Sequence, residues 1–309
     1  MSIRVYQQLS TQTKALLWAS IWSIGYLILV VTLPANVTTM RQYHLSPEGF
    51  RILEILTGLP NIMVWFMSFY GYAALTEYTE KVSNSREGKS FASIARGLKW
   101  LAWGLPISAC ASAILGAVAW LNPGSVASAL IASHYIYLII SLVAFTFISD
   151  GTRGLREIIN RLPSKKSIRA LIAGAIIISV TYCSITLNIV DSQHPNAYRL
   201  PLWLILLTII IPYLYAWLMG FFAVFEISQY RRSVRGLFYK QALRLLASGT
   251  TCAIVASVAL QYLTSSSLNL RHIDLNWTLI ISYGIIITFA VGYILIAVGA
   301  GKLKKIEEV

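Results

Sequence analysis

The sequence predicts an all-α integral membrane protein: eight transmembrane helices built as two parallel-oriented four-helix repeats, with N and C termini cytoplasmic. Three observations predict this. Long apolar runs fill the chain, basic residues fall on alternate connectors between those runs, and the two halves resemble each other in order.

Of 309 residues, 57% are hydrophobic and 12% are charged. A soluble domain carries about 25% charged residues, so lipid is the expected solvent. The first run, Leu16–Leu33, is long for a signal-peptide core and lacks a small-x-small cleavage site, so it reads as an anchor that stays. Seven further runs follow at Ile52–Leu75, Leu98–Leu121, Ala127–Ser149, Ile168–Ile189, Leu202–Ile227, Leu243–Leu263 and Trp277–Ala300. A hydrocarbon core takes about 20 apolar residues per helix, so eight spans use up the chain and leave no room for a soluble catalytic domain.

The net charge is +13, from 25 Lys+Arg against 12 Asp+Glu. All the lysines and arginines except Arg41, Arg51, Arg199 and Arg271 fall on one side of an eight-span arrangement. Cationic side chains stay on the cytoplasmic side because they are costly to translocate. The surplus charge therefore reads as topology and attraction to anionic lipid in a plasma (inner) membrane, not as nucleic-acid binding. Trp120, Trp203 and Trp277 lie at outer edges and Trp100 at an inner edge, the headgroup level that indoles favour.

The halves, 1–158 and 159–309, align in pieces. Pro60–Tyr78 lies over Pro212–Tyr230 at an offset of 152, matching Pro60/Pro212, Trp65/Trp217, Met67/Met219, Phe69/Phe221 and Tyr78/Tyr230. The segment 97–104 matches 242–249 at an offset of 145, which assigns seven extra residues to the second loop of the first half, around Ser83–Ser90. Gly151–Ile158 resembles Gly299–Ile306, and Lys14-Ala-Leu16 resembles Arg169-Ala-Leu171. An even number of spans per half makes the repeats parallel, about an axis along the membrane normal.

Small residues four apart mark helix-packing faces, because membrane helices associate by close backbone approach. Ser108, Ser112 and Gly116 in the third span, and Gly249, Ala253 and Ser257 in the seventh, predict that these two spans pack together. Pro60 and Pro212 interrupt the second and sixth spans at equivalent places, which marks a hinge or substrate path in repeat-built transporters and is also a harmless feature of membrane helices. Trp65 and Trp217 belong to the same candidate path, as do His134, the one histidine inside a span, and Tyr283 near its equivalent position.

Ionisable groups inside a membrane mark function by default. Glu54, Asp150 and Glu226 lie near span ends, and Glu226 is expected to pair with Arg231 or Arg232 just below it. Arg231, Arg232 and Arg235 form a basic cytoplasmic surface suited to a protein partner. The scattered cysteines Cys110, Cys183 and Cys252 read as packing residues. No catalytic, phosphate-binding or metal-ligand motif stands on a suitable element, so no cofactor and no metal are expected. The sequence points to a transporter or permease component for a small apolar or weakly polar molecule or lipid. The alternatives are a sensor or scaffold subunit and, third, a lipid-modifying enzyme.

Overall fold

The computed structural model describes residues 9–32, 46–121, 126–159, 206–267 and 275–305, with a few positions between 169 and 176. The expected fifth span, Ile168–Ile189, lies outside the described residues. Seven α-helices are described: α1 (Thr11–Thr32), α2 (Pro47–Lys81), α3 (Arg86–Leu121), α4 (Val126–Ile158), α5 (Ile211–Ser233), α6 (Leu237–Ser267) and α7 (Leu275–Lys305). A single π turn, Leu206–Ile210, leads into α5. Among the described residues there is no strand.

Six of these helices, all but α2, contain a stretch long and apolar enough to cross a membrane. The helices outrun the apolar runs at the connector ends, because the polar flanks also support helix. α3 begins at Arg86 rather than Leu98, and its 36 residues measure about 54 Å at ~1.5 Å per residue, well beyond a bilayer core. Ser46 caps α2 by accepting the Gly49 amide at 3.0 Å.

Apolar residues cover the outside as well as the inside. Ile24, Ile139, Ile280 and Ile287 are each more than half exposed, which suits a lipid-facing surface. The interior holds the large aromatics Trp65, Phe69, Phe91, Tyr213, Trp217 and Tyr293 among many alanines. The structure is thus that of a polytopic, all-helical membrane protein.

α3 packs along α4, and α6 along α7, as antiparallel pairs. α2 joins α1, α3 and α7, while α5 joins α4 and α6. The connector between α2 and α3 is 82–85, and that between α5 and α6 is 234–236, where Gly236 takes a positive φ of 94°. The two connectors are almost equal, and 86–90 is already helix, so the seven extra residues expected around Ser83–Ser90 are not there.

Glycines set the closest helix approaches. A Cβ on Gly97 (α3) would sit 2.5 Å from the Ala144 carbonyl oxygen (α4), and one on Gly151 (α4) would strike the Ser90 carbonyl (α3). A Cβ on Gly249 (α6) would sit 2.5 Å from the Gly292 carbonyl oxygen (α7), and one on Gly299 (α7) 2.9 Å from that of Ala242 (α6). Small-residue contact therefore joins α3 to α4 and α6 to α7. The expected close packing of the third span on the seventh gives way to packing of each on the helix that follows it.

Candidate functional site

Among the described residues, the charged side chains that join separate helices gather at one end of the bundle, here the basic end. The C-termini of α2, α4, α5 and α7 meet there with the N-termini of α1, α3 and α6. Glu226, deep in α5, has a side chain only 5% exposed. Its Oε1 accepts a hydrogen bond from Arg156 Nη1 of α4 at 2.9 Å, and its Oε2 accepts one from Thr152 Oγ1 at 2.7 Å. Arg231 and Arg232, the expected partners, are displaced by Arg156. They lie five and six residues past Glu226, off the i+3, i+4 spacing that brings side chains together on a helix.

A second clasp joins α2 to α7. Lys304 Nζ lies 2.6 Å from Glu77 Oε2, and the Gln12 amide at the start of α1 donates to Glu77 Oε1 at 3.2 Å. Beside it opens a cleft of about 560 Å³ lined by Ser10, Gln12, Glu77, Glu80, Lys81 and Lys304. Sequence reading missed Arg156, Thr152, Glu77 and Lys304 as paired groups. The available signal was that Arg156 and Lys304 hold the same place in the matched segments Gly151–Ile158 and Gly299–Ile306.

The candidate path residues separate. Pro60 lies inside continuous α2, whereas Pro212 is the second residue of α5, directly after the π turn. A proline has no amide to offer the carbonyl four residues earlier. For Pro212 that residue is Thr208, within the widened turn, and Tyr135 of α4 donates its hydroxyl proton to Thr208 Oγ1. Trp65 and Trp217 are each 2% exposed and serve as packing groups, Trp65 edge-on to Tyr26 at 5.2 Å and Trp217 stacked on Tyr213 at 5.6 Å. His134 falls within α4, but its side chain lies outside the described residues. Tyr283 is half-buried on α7.

Of the helix-packing residues, Gly249 and Ala253 meet Gly292 of α7, and Ser257 accepts a hydrogen bond from Tyr137 of α4 at 3.0 Å. Ser108 donates to the Gly104 carbonyl of its own helix at 2.8 Å, and Ser112 is exposed. Gly116 falls within α3. Thr250 and Thr251 likewise bond the carbonyls of Leu246 and Ala247 in their own helix. Arg232 and Arg235 are exposed at the α5–α6 turn, with Arg231 half-buried. Beside them Leu237 is 75% exposed and Phe238 45%.

No protein-family model matches the chain, and no curated protein and no solved structure matches it. The functional reading therefore rests on geometry.

Proposed function

We propose that the chain is an eight-span plasma (inner) membrane transporter or permease component, with cytoplasmic termini, moving a small apolar or weakly polar molecule or lipid between its two four-helix halves. The observation that carries this reading is the pair of clasps. Arg156 and Lys304 stand at matching positions of the fourth and eighth spans, and each reaches a glutamate on the second helix of the opposite half. In the 152-residue register Glu226 aligns with Ala74, one helical turn from Glu77. Further support comes from the glycine contacts. Gly97 and Gly249, like Ser90 and Ala242, are 152 apart, while Gly151 and Gly299, like Ala144 and Gly292, are 148 apart.

Two such clasps at the basic end would form a closed inner gate, with Pro60 and the π turn before Pro212 as the flexible points of the same two helices, farther from that end. Ion pairs that rearrange between discrete packings are a common means of switching a membrane bundle. The two clasp carboxylates, Glu226 and Glu77, are already held by cations, which fits passive or substrate-driven movement better than proton pumping. Proteoliposomes containing a nitrobenzoxadiazole-labelled phosphatidylcholine test this. External dithionite should bleach more than the outer-leaflet half of the dye with wild type present, and the gate-locked cysteine pair described in the Discussion should abolish the excess. Bleaching equal to empty liposomes, together with no leak of small uncharged dyes, would sink the reading.

A second reading is a docking subunit. Exposed Leu237 and Phe238 beside Arg231, Arg232 and Arg235 make an amphipathic corner that an acidic partner would cover. A stable partner co-purifying with wild type, and lost in a Leu237→Ser/Phe238→Ser variant, would favour it over transport.

A further inference from the structure

Arg96, Lys99, Trp100 and Trp103 stand at i, i+3, i+4 and i+7 on α3, so they share one helix face. With Phe147 of α4 they line a groove of about 350 Å³ at the surface of the bundle. Its floor is fixed by close packing. Gly97 lets α4 approach, and Ser93 Oγ lies 3.0 Å from both the Phe147 carbonyl oxygen and Asp150 Oδ2. Trp103 is held against Trp18 at 5.0 Å and Phe69 at 5.5 Å, while Trp100 is 46% exposed. Arg96 and Lys99 are exposed, and among the described residues neither has a carboxylate partner.

The depth of the groove identifies its occupant. From Trp103 to the end of α3 at Leu121 the helix rises about 27 Å, close to one hydrocarbon thickness. Trp103 then sits near the hydrocarbon boundary, and Arg96 about 10 Å farther out, in the phosphate layer. Two unpaired cations above an apolar, indole-lined wall match a phosphodiester joined to an acyl chain. The site is also one-sided. At 152 residues on, α6 carries Ser248, Thr251, Cys252 and Val255, with neither cation nor ring.

We propose that this groove binds one anionic glycerophospholipid, its phosphate between Arg96 and Lys99 and an acyl chain along Trp100, Trp103 and Phe147. Basic pockets between membrane helices bind anionic headgroups in this way. The proposal is independent of whether the protein transports.

The test is tryptophan quenching in phosphatidylcholine bilayers doped with either brominated phosphatidylglycerol or brominated phosphatidylcholine. Wild type should be quenched more by the anionic lipid at equal mole fraction. The preference should fall roughly thirtyfold in R96Q/K99Q, from the loss of two near-surface cations. It should persist in R231Q/R232Q, which removes as much charge elsewhere. Trp100→Phe leaves both cations in place and should remove most of the lipid-dependent difference, so the proposal stays testable even if R96Q/K99Q aggregates. Equal quenching by the two lipids, a retained preference in R96Q/K99Q, or an equal loss in R231Q/R232Q would overturn it.

Discussion

Arg156 Nη1 of α4 lies 2.9 Å from Glu226 Oε1 of α5, with the carboxylate almost wholly enclosed and its other oxygen taken by Thr152. A buried ion pair of this kind adds little net stability over an apolar pair, because desolvation offsets attraction. Its weight lies in specificity: α4 and α5 are held in one register as long as both charges are present.

Removing one partner should therefore be costly. Glu226→Ala strands the Arg156 guanidinium and should destabilise by about 3–5 kcal/mol. The thermal unfolding midpoint in detergent should fall by roughly 5–10 °C. The double variant Glu226→Leu/Arg156→Met should recover most of the loss. A single variant as stable as wild type would mean that the pair is not formed.

The Glu77–Lys304 clasp is more open, with side chains 15% and 28% exposed. Glu77→Gln should cost only about 1 kcal/mol, and high salt should shrink that difference. A loss as large as that of Glu226→Ala in the same melting assay would contradict this ranking.

If the clasps close an inner gate, locking one should stop movement. A Glu77→Cys/Lys304→Cys pair, in a chain whose native cysteines are replaced by serine, should be bridged by a short bis-methanethiosulfonate, which spans side-chain reach where a direct disulfide requires close Cα atoms. The dithionite-accessible excess in proteoliposomes should vanish, and reductant should restore it. Unchanged bleaching after complete cross-linking would count against gating at this end.

The glycine contacts give a packing series. Gly97→Ala and Gly249→Ala place a Cβ 2.5 Å from a carbonyl oxygen on the facing helix, so each should cost about 1–3 kcal/mol. Gly25→Ala in α1 meets nothing within 4 Å and should be neutral or stabilising by up to ~1 kcal/mol. Melting midpoints in one detergent would rank the three, and an equal response would refute the close approach.

Apolar composition made the membrane class and most helices legible in the sequence, because hydropathy and length follow from the solvent alone. Register between halves was not. Aligning Gly104 with Gly249 and Leu98 with Leu243 shifts the third span by seven residues, which is nearly two helical turns. Such a slip keeps every apolar residue on its own face, so pattern cannot detect it. Only contacts can: Gly97 meets the Ala144 carbonyl as closely as Gly249 meets that of Gly292. Glu226 misled for a related reason. Proximity in sequence favoured Arg231 and Arg232, whereas its partner Arg156 is 70 residues away and visible only once α4 and α5 are packed. The path residues were legible as matched pairs, but matching carries no information on burial, and only packing shows that Trp65 and Trp217 are enclosed.

The central claim is that the halves are parallel repeats, which requires a fifth crossing between Ile168 and Ile189. Single cysteines at Ser164 and Ser192, in the serine-substituted background, decide it by labelling intact cells with a membrane-impermeant maleimide. Ser192→Cys should react from outside, and Ser164→Cys only after the membrane is opened. Reaction of both from the same side would leave an odd number of crossings and contradict the account.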